Sequence, residues 1–186
     1  MLTVISQQAM PQQWSIKTGV YEFTNITARE FYVLAPVILG GYDVWTRSRI
    51  SLHLSGGVGY KSRKYNEDLH HLYLAPLFLT ANYTLANPDA RLYAVIGSGF
   101  SLMGKADQNK ALDKVHYAIT YGYHASGSLR FRLKCKPVLA VELTYNLLMP
   151  TVTEDINING VVLSFGIWIP VERNKGRKGK AEKANK

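Results

Sequence analysis

His124, Ser126 and Glu142 are the residues of this chain whose types could perform covalent chemistry together. An imidazole beside a hydroxyl, with a carboxylate to orient the ring, is the general form of an activated nucleophile. His124 and Ser126 lie in the stretch Val115–Lys134. Its odd positions carry Val, Tyr, Ile, Tyr, Tyr, Ala, Gly, Leu, Phe and Leu, and its even positions carry His, Ala, Thr, Gly, His, Ser, Ser, Arg, Arg and Lys. A period of two is a strand with one apolar face, so both residues point to the other, small and polar face. Glu142 has the same parity in Val138–Leu147, where Leu139, Val141, Leu143, Tyr145 and Leu147 form the apolar side. A hairpin turning at Cys135 sets Glu142 opposite Arg130 or Ser128, some way down the strand from His124. The competing reading of this face is therefore a buried polar network in which Arg130 pairs with Glu142, since a buried charge needs a partner.

The other reactive residue types make weaker constellations. His53, His70, His71 and His116 have no metal-ligand spacing, and adjacent His70 and His71 point to opposite faces of a strand. No metal or cofactor is expected. Gly56-Gly57-Val58-Gly59 precedes no helix and is no phosphate loop. Arg130, Arg132 and Lys134 line one face near a turn. The single cysteine, Cys135, sits in the short link Lys134-Cys135-Lys136-Pro137 and excludes an internal disulfide framework.

The elements that position these residues are strands. Alternation supports eight of them, at about 14–23, 31–46, 50–60, 70–84, 91–103, 115–134, 137–149 and 160–170. The fourth (Leu72 to Tyr83) is apolar on both faces, which fits a bulge, an apolar interior sector or a protein contact. The second (Phe31 to Val44) is doubly apolar too, as expected of a strand that faces both a protein neighbour and its own packed lumen. The links alternate in length. Those at 46–49, 85–90 and 135–136 are short, and those at 24–30, 61–69, 104–114 and 150–159 are long. No run of eighteen apolar residues exists, so no transmembrane helix is expected. Met1 to Ile5 is too short for a signal-peptide h-region and has no basic n-region.

The 186 residues carry a net charge of +9 with 19% charged side chains, below the roughly 25% of soluble domains. Seven of the basic residues, against two acidic ones, fall after Pro170. The chain therefore divides into an N-terminal extension (1–13), a barrel (14–170) and a basic, disordered tail (171–186) that includes Arg173, Lys175, Arg177, Lys178 and Lys180. The tail has no interleaved aromatics, so anionic lipid heads or an acidic partner suit it better than nucleic acid.

Taken together, the pattern predicts an all-β fold, an eight-stranded antiparallel up-and-down barrel spanning a bacterial outer membrane. The non-apolar face is dominated by Gly, Ala, Ser, Thr and His, as in the crowded lumen of an eight-stranded barrel. Tyr60, Tyr117 and Tyr145 fall near strand ends on the apolar face, where a membrane interface is expected. The stretch Gly160–Trp168, with its aromatic end, looks like the signal read by barrel-assembly machinery. On these features residues 14–170 resemble the small eight-stranded outer-membrane proteins, the OmpA transmembrane domain, OmpX and OmpW group. The resemblance implies this architecture, its assembly route and an outer-membrane location in contact with lipid. Eight strands with short links on one side put both termini in the periplasm, and a lumen filled by side chains points to a structural or interaction role, without nucleic acid. The doubly apolar second and fourth strands point further, to a subunit of a larger envelope complex. Two alternatives stand beside it. The order His124-x-Ser126…Glu142 resembles the triad of outer-membrane lipid A deacylases, although Gly127 stands where that motif has Asn. A soluble lipocalin-like barrel, with the apolar face turned inward around a small apolar ligand, is the other.

Overall fold

The computed structural model describes residues 12–25, 28–29, 32, 34–65, 68–85, 90–109, 114–134, 137–149 and 158–171. Its strands are β1 (Gln13–Phe23), β2 (Leu34–Arg47), β3 (Ile50–Tyr65), β4 (Asp68–Thr84), β5 (Leu92–Asn109), β6 (Lys114–Arg132), β7 (Val138–Leu148) and β8 (Gly160–Pro170). Each pairs antiparallel with the next, and β1 pairs with β8, so the sheet closes on itself. Closure leaves no sheet edge along the shared height of the wall, the condition a β structure must meet in lipid. Residues 172–186, including Arg173, Lys175, Arg177, Lys178 and Lys180, lie outside the described residues, as do 1–11.

Alternation decides which side chains face in. On β3, Leu54, Val58 and Tyr60 are exposed on the outer wall while His53 and Ser55 are buried in the lumen. On β6, Tyr117, Ile119, Tyr121 and Leu129 face out, whereas Thr120, His124, Ser128 and Arg130 face in. The outer wall is apolar and the lumen is where polar groups gather, the reverse of a soluble barrel. In β2 the pairing with β3 slips between Asp43 and Trp45. That bulge puts both Val44 and Trp45 on the outside.

The lumen is layered. At the end carrying the long links, Tyr21, Phe23, Tyr32, Val37, Leu72, Leu74, Met103, Leu148, Ile158 and Val162 belong to one apolar plug. At the turn end, Tyr93, Val95, Val138, Ala140 and Trp168 form a smaller one. The loop-end plug explains why β2 and β4 are apolar on both faces. Val37, Leu72, Leu74 and Phe78 fill the barrel, and Ile38, Leu77 and Leu79 cover it. In β4 the interior sector is realised, and β2 adds a bulge that its sequence did not announce.

Two of the links expected to be long are short. β3 and β4 run on to Tyr65 and from Asp68, and β5 and β6 run on to Asn109 and from Lys114. Past Gly59, β3 pairs only with β4 among the described residues, and residues 114–120 of β6 pair only with β5. A four-stranded ribbon therefore rises beyond the rest of the wall. Its polar ends lack the apolar outer face by which a strand is recognised. At the opposite end, β2 and β3 join through Ser48 and Arg49, with Ser48 in the left-handed region at φ 53°.

Candidate functional site

The middle of the lumen holds the titratable groups. Lys17 on β1 donates to the Oε1 of Glu142 on β7 at 2.6 Å, and both side chains are nearly shielded from solvent. The two strands are not neighbours; β8 lies between them. Lys17 stands beside Gly166 and Glu142 beside Ser164 on the two faces of that pairing. A Cβ on Gly166 would come within 2.6 Å of the Lys17 Cγ, so the glycine is the gap through which the lysine crosses β8. This corrects the expected charge pair. The partner of Glu142 is Lys17, and Arg130 instead lies over the Trp168 ring at 4.7 Å and donates from Nε to Ser128 at 3.4 Å. Closure of β1 onto β8 decides the matter, because it brings Lys17 nearer than the hairpin partner.

His124, Ser126 and Glu142 all face the lumen, but the structure does not join them. The hairpin register sets Glu142 opposite Ser128 and Ser126 opposite Thr144. Both ring nitrogens of His124 are otherwise engaged. Nδ1 meets the Ser101 hydroxyl at 3.0 Å, and Nε2 meets the Thr80 hydroxyl at 2.9 Å. The Ser101 proton goes to the Asn146 carbonyl at 3.2 Å, so Ser101 accepts from Nδ1–H and Thr80 donates to Nε2. The Phe78 ring packs edge-on against the imidazole at 5.3 Å. His124 is thus a satisfied interior histidine, and its relation to Ser126 is one of parity alone.

A different histidine has the relay geometry. His53 on β3 binds Asp43 of β2 through Nδ1 at 2.8 Å and Ser15 of β1 through Nε2 at 3.1 Å, and all three residues are buried. Reading single strands missed this set because its members lie on three consecutive strands, and only the register of β1 on β2 and of β2 on β3 aligns them. Gly41 was the available signal. It sits between Ser15 and Ser55 in the pairing, and a Cβ there would meet the His53 Nε2 at 2.4 Å. Among the described residues no cluster of histidine, cysteine or carboxylate has the geometry to hold a metal ion.

Near the loop end, the Tyr32 hydroxyl donates to the Asp107 Oδ2 at 2.5 Å. Burial, then this hydrogen bond, push the Tyr32 phenol well above its ordinary range, which keeps it the donor. The bond ties the first long link to β5. Between the two plugs the polar groups leave a cavity of only about 10 Å³, lined by Lys17, His53, His124, Arg130 and Glu142 among others. That is room for a single water.

No protein-family model matches the sequence, and no characterised protein matches it by sequence. The fold has solved counterparts. The chain is similar to the neisserial surface protein NspA at 12% identity, covering 88% of this chain and 99% of that one with a TM-score of 0.64. It is similar to the outer membrane protein OprG of Pseudomonas aeruginosa at 8% identity, 88% and 98% coverage and a TM-score of 0.62. The outer membrane enzyme PagL is a more distant counterpart, at 11% identity, 84% and 99% coverage and a TM-score of 0.51. The chain therefore has the architecture of small eight-stranded outer-membrane barrels.

Proposed function

We propose that this chain is an integral barrel of a bacterial outer membrane with a structural and interaction role, its termini in the periplasm and its loop end outside. The carrying observation is the height of the apolar band. On β4, Tyr73 and Tyr83 both face outward, with Ala75, Leu77, Leu79 and Ala81 between them on the same face. Ten residues at about 3.3 Å each, tilted by about 40°, span roughly 25 Å along the barrel axis, the height of a lipid-facing band. Trp14 and Trp45 join Tyr83 near the turn end, and Tyr60 and Tyr117 join Tyr73 near the loop end. Two aromatic girdles around an apolar belt are the pattern of an outer-membrane wall.

The lumen argues against transport and against a calyx. Among the described residues, plugs at both ends and a water-sized cavity between them leave no standing channel through the closed lumen and no ready space for an apolar ligand. The surface left to act is the loop end, where the ribbon of β3–β6 stands above the girdle and carries the exposed Ser62 and Lys64. Protein partners in an envelope complex would meet that ribbon, and anionic lipid heads would meet the basic tail. The deacylase-like alternative finds no support in the His124 geometry.

Gel mobility of the detergent-extracted protein, boiled against unboiled, together with membrane fractionation and protease treatment of intact cells, tests the proposal. A faster unboiled band in the outer-membrane fraction, cleavage at the loop end and protection of a C-terminal tag are expected. A soluble chain with no mobility shift would overturn it, and cleavage of the tag on intact cells would reverse its orientation. Purified barrels in planar bilayers are expected to leave the baseline conductance unchanged, and stable channel openings would remove the sealed-lumen reading.

A further inference from the structure

The Asp43–His53–Ser15 relay is used by nothing described above. Its atoms are paired in the order a nucleophile needs. The Asp43 carboxylate accepts from Nδ1–H, which leaves the Nε2 lone pair toward the Ser15 hydroxyl. The His124 set lacks that order, with hydroxyls on both nitrogens and no carboxylate. The relay crosses β2 over Gly41, whose missing side chain leaves the Ser15 Oγ and His53 Nε2 free to meet. Its depth is small: Ser15 is two residues inside the start of β1, about 7 Å along the strand from the turn-end mouth.

We infer that Ser15 is a covalent acceptor site, activated by His53 and Asp43, for small acyl or phosphoryl donors admitted when the turn-end plug around Trp168 opens locally. In the step, the Ser15 Oγ bonds to the electrophilic carbon or phosphorus, and the bond to the leaving group breaks. The leaving group departs with the electron pair. The Ser15 proton passes to the His53 Nε2, and Asp43 faces the imidazolium that results. Burial of Ser15 makes local opening of the turn end the slow step, so single modification is expected rather than turnover.

The probe is diisopropyl fluorophosphate, with fluoride as its leaving group, applied to the full chain extracted in mild detergent. Intact mass and peptide mapping are the readouts, and the unboiled gel band checks folding in every sample. One adduct per folded chain is expected, mapped to Ser15, with none in Ser15→Ala. Removing the base in His53→Gln is expected to slow labelling by about a hundredfold or more, and Asp43→Asn gives a second route to the same loss if the first variant does not fold. Heat-denatured wild type needs no variant and is expected to stay unlabelled at Ser15. A purely structural tie would leave Ser15 inert. No adduct on the folded chain, an adduct on another residue only, or equal labelling of folded and denatured chains would each overturn the inference.

Discussion

Lys17 is the residue on which the lumen electrostatics turn. Its ammonium is the direct partner of Glu142, and neither group has solvent to replace the other. Replacing Lys17 with Met removes the cation bonded to Glu142 and leaves only the more distant Arg130 facing that buried carboxylate, and it is expected to destabilise the barrel by about 3–5 kcal/mol. The double replacement Lys17→Met with Glu142→Leu removes both charges and is expected to recover most of that loss. Urea unfolding followed by gel mobility measures both, and a single replacement costing under about 1 kcal/mol would show that the pair is not the lumen's charge balance. The sequence made Glu142 legible as an inward carboxylate needing a cation, because parity within a hairpin is local. It could not show which cation. Arg130 is near in the hairpin, whereas Lys17 becomes near only when the first strand closes on the last and Gly166 opens the way. His53 was hidden for a different reason: its partners Asp43 and Ser15 come from the two preceding strands, and only the exact register of β1, β2 and β3 brings them together.

At the scale of elements, β4 shows what alternation can and cannot tell. Its doubly apolar run was visible in the sequence, but its cause was not, because periodicity does not distinguish a lumen plug from a partner's surface. In the structure Leu74 is buried in the loop-end plug, while Leu77 is exposed on the outer wall. Leu74→Ala is expected to cost about 2–5 kcal/mol, since a cavity opens among fixed neighbours. Leu77→Ala is expected to cost less than half as much, because mobile lipid chains close the gap. The temperature at which the unboiled band converts to the boiled one ranks the two. Equal shifts would mean that the plug is not packed as described. The upper ends of β3 to β6 are the other lesson. Residues such as Lys61, Arg63, Lys105 and Asp107 read as loop, and yet they continue the ladder. Backbone pairing does not need an apolar face once the strand has left lipid.

For the molecule as a whole, one wall must serve two environments, lipid across the belt and water beyond it, and β4 crosses from one to the other. Leu79 lies near the middle of the stretch between Tyr73 and Tyr83, while Leu69 lies on the same outward face beyond Tyr73, in the ribbon. Both are partly exposed leucines on one strand, so backbone pairing and side-chain size are held equal. An arginine at the bilayer midplane costs about 2–4 kcal/mol on a lipid-facing wall and about 0–1 kcal/mol near the interface. Leu79→Arg is therefore expected to lower barrel stability in lipid vesicles by several times as much as Leu69→Arg, measured by urea titration of folding into the vesicles. In lipid-free detergent micelles, which cover the belt less uniformly, the gap is expected to narrow. If Leu69→Arg were the more damaging of the two, the belt would have to sit higher on the barrel, with the ribbon inside it, and the loop end would lose its standing as the surface that meets partners.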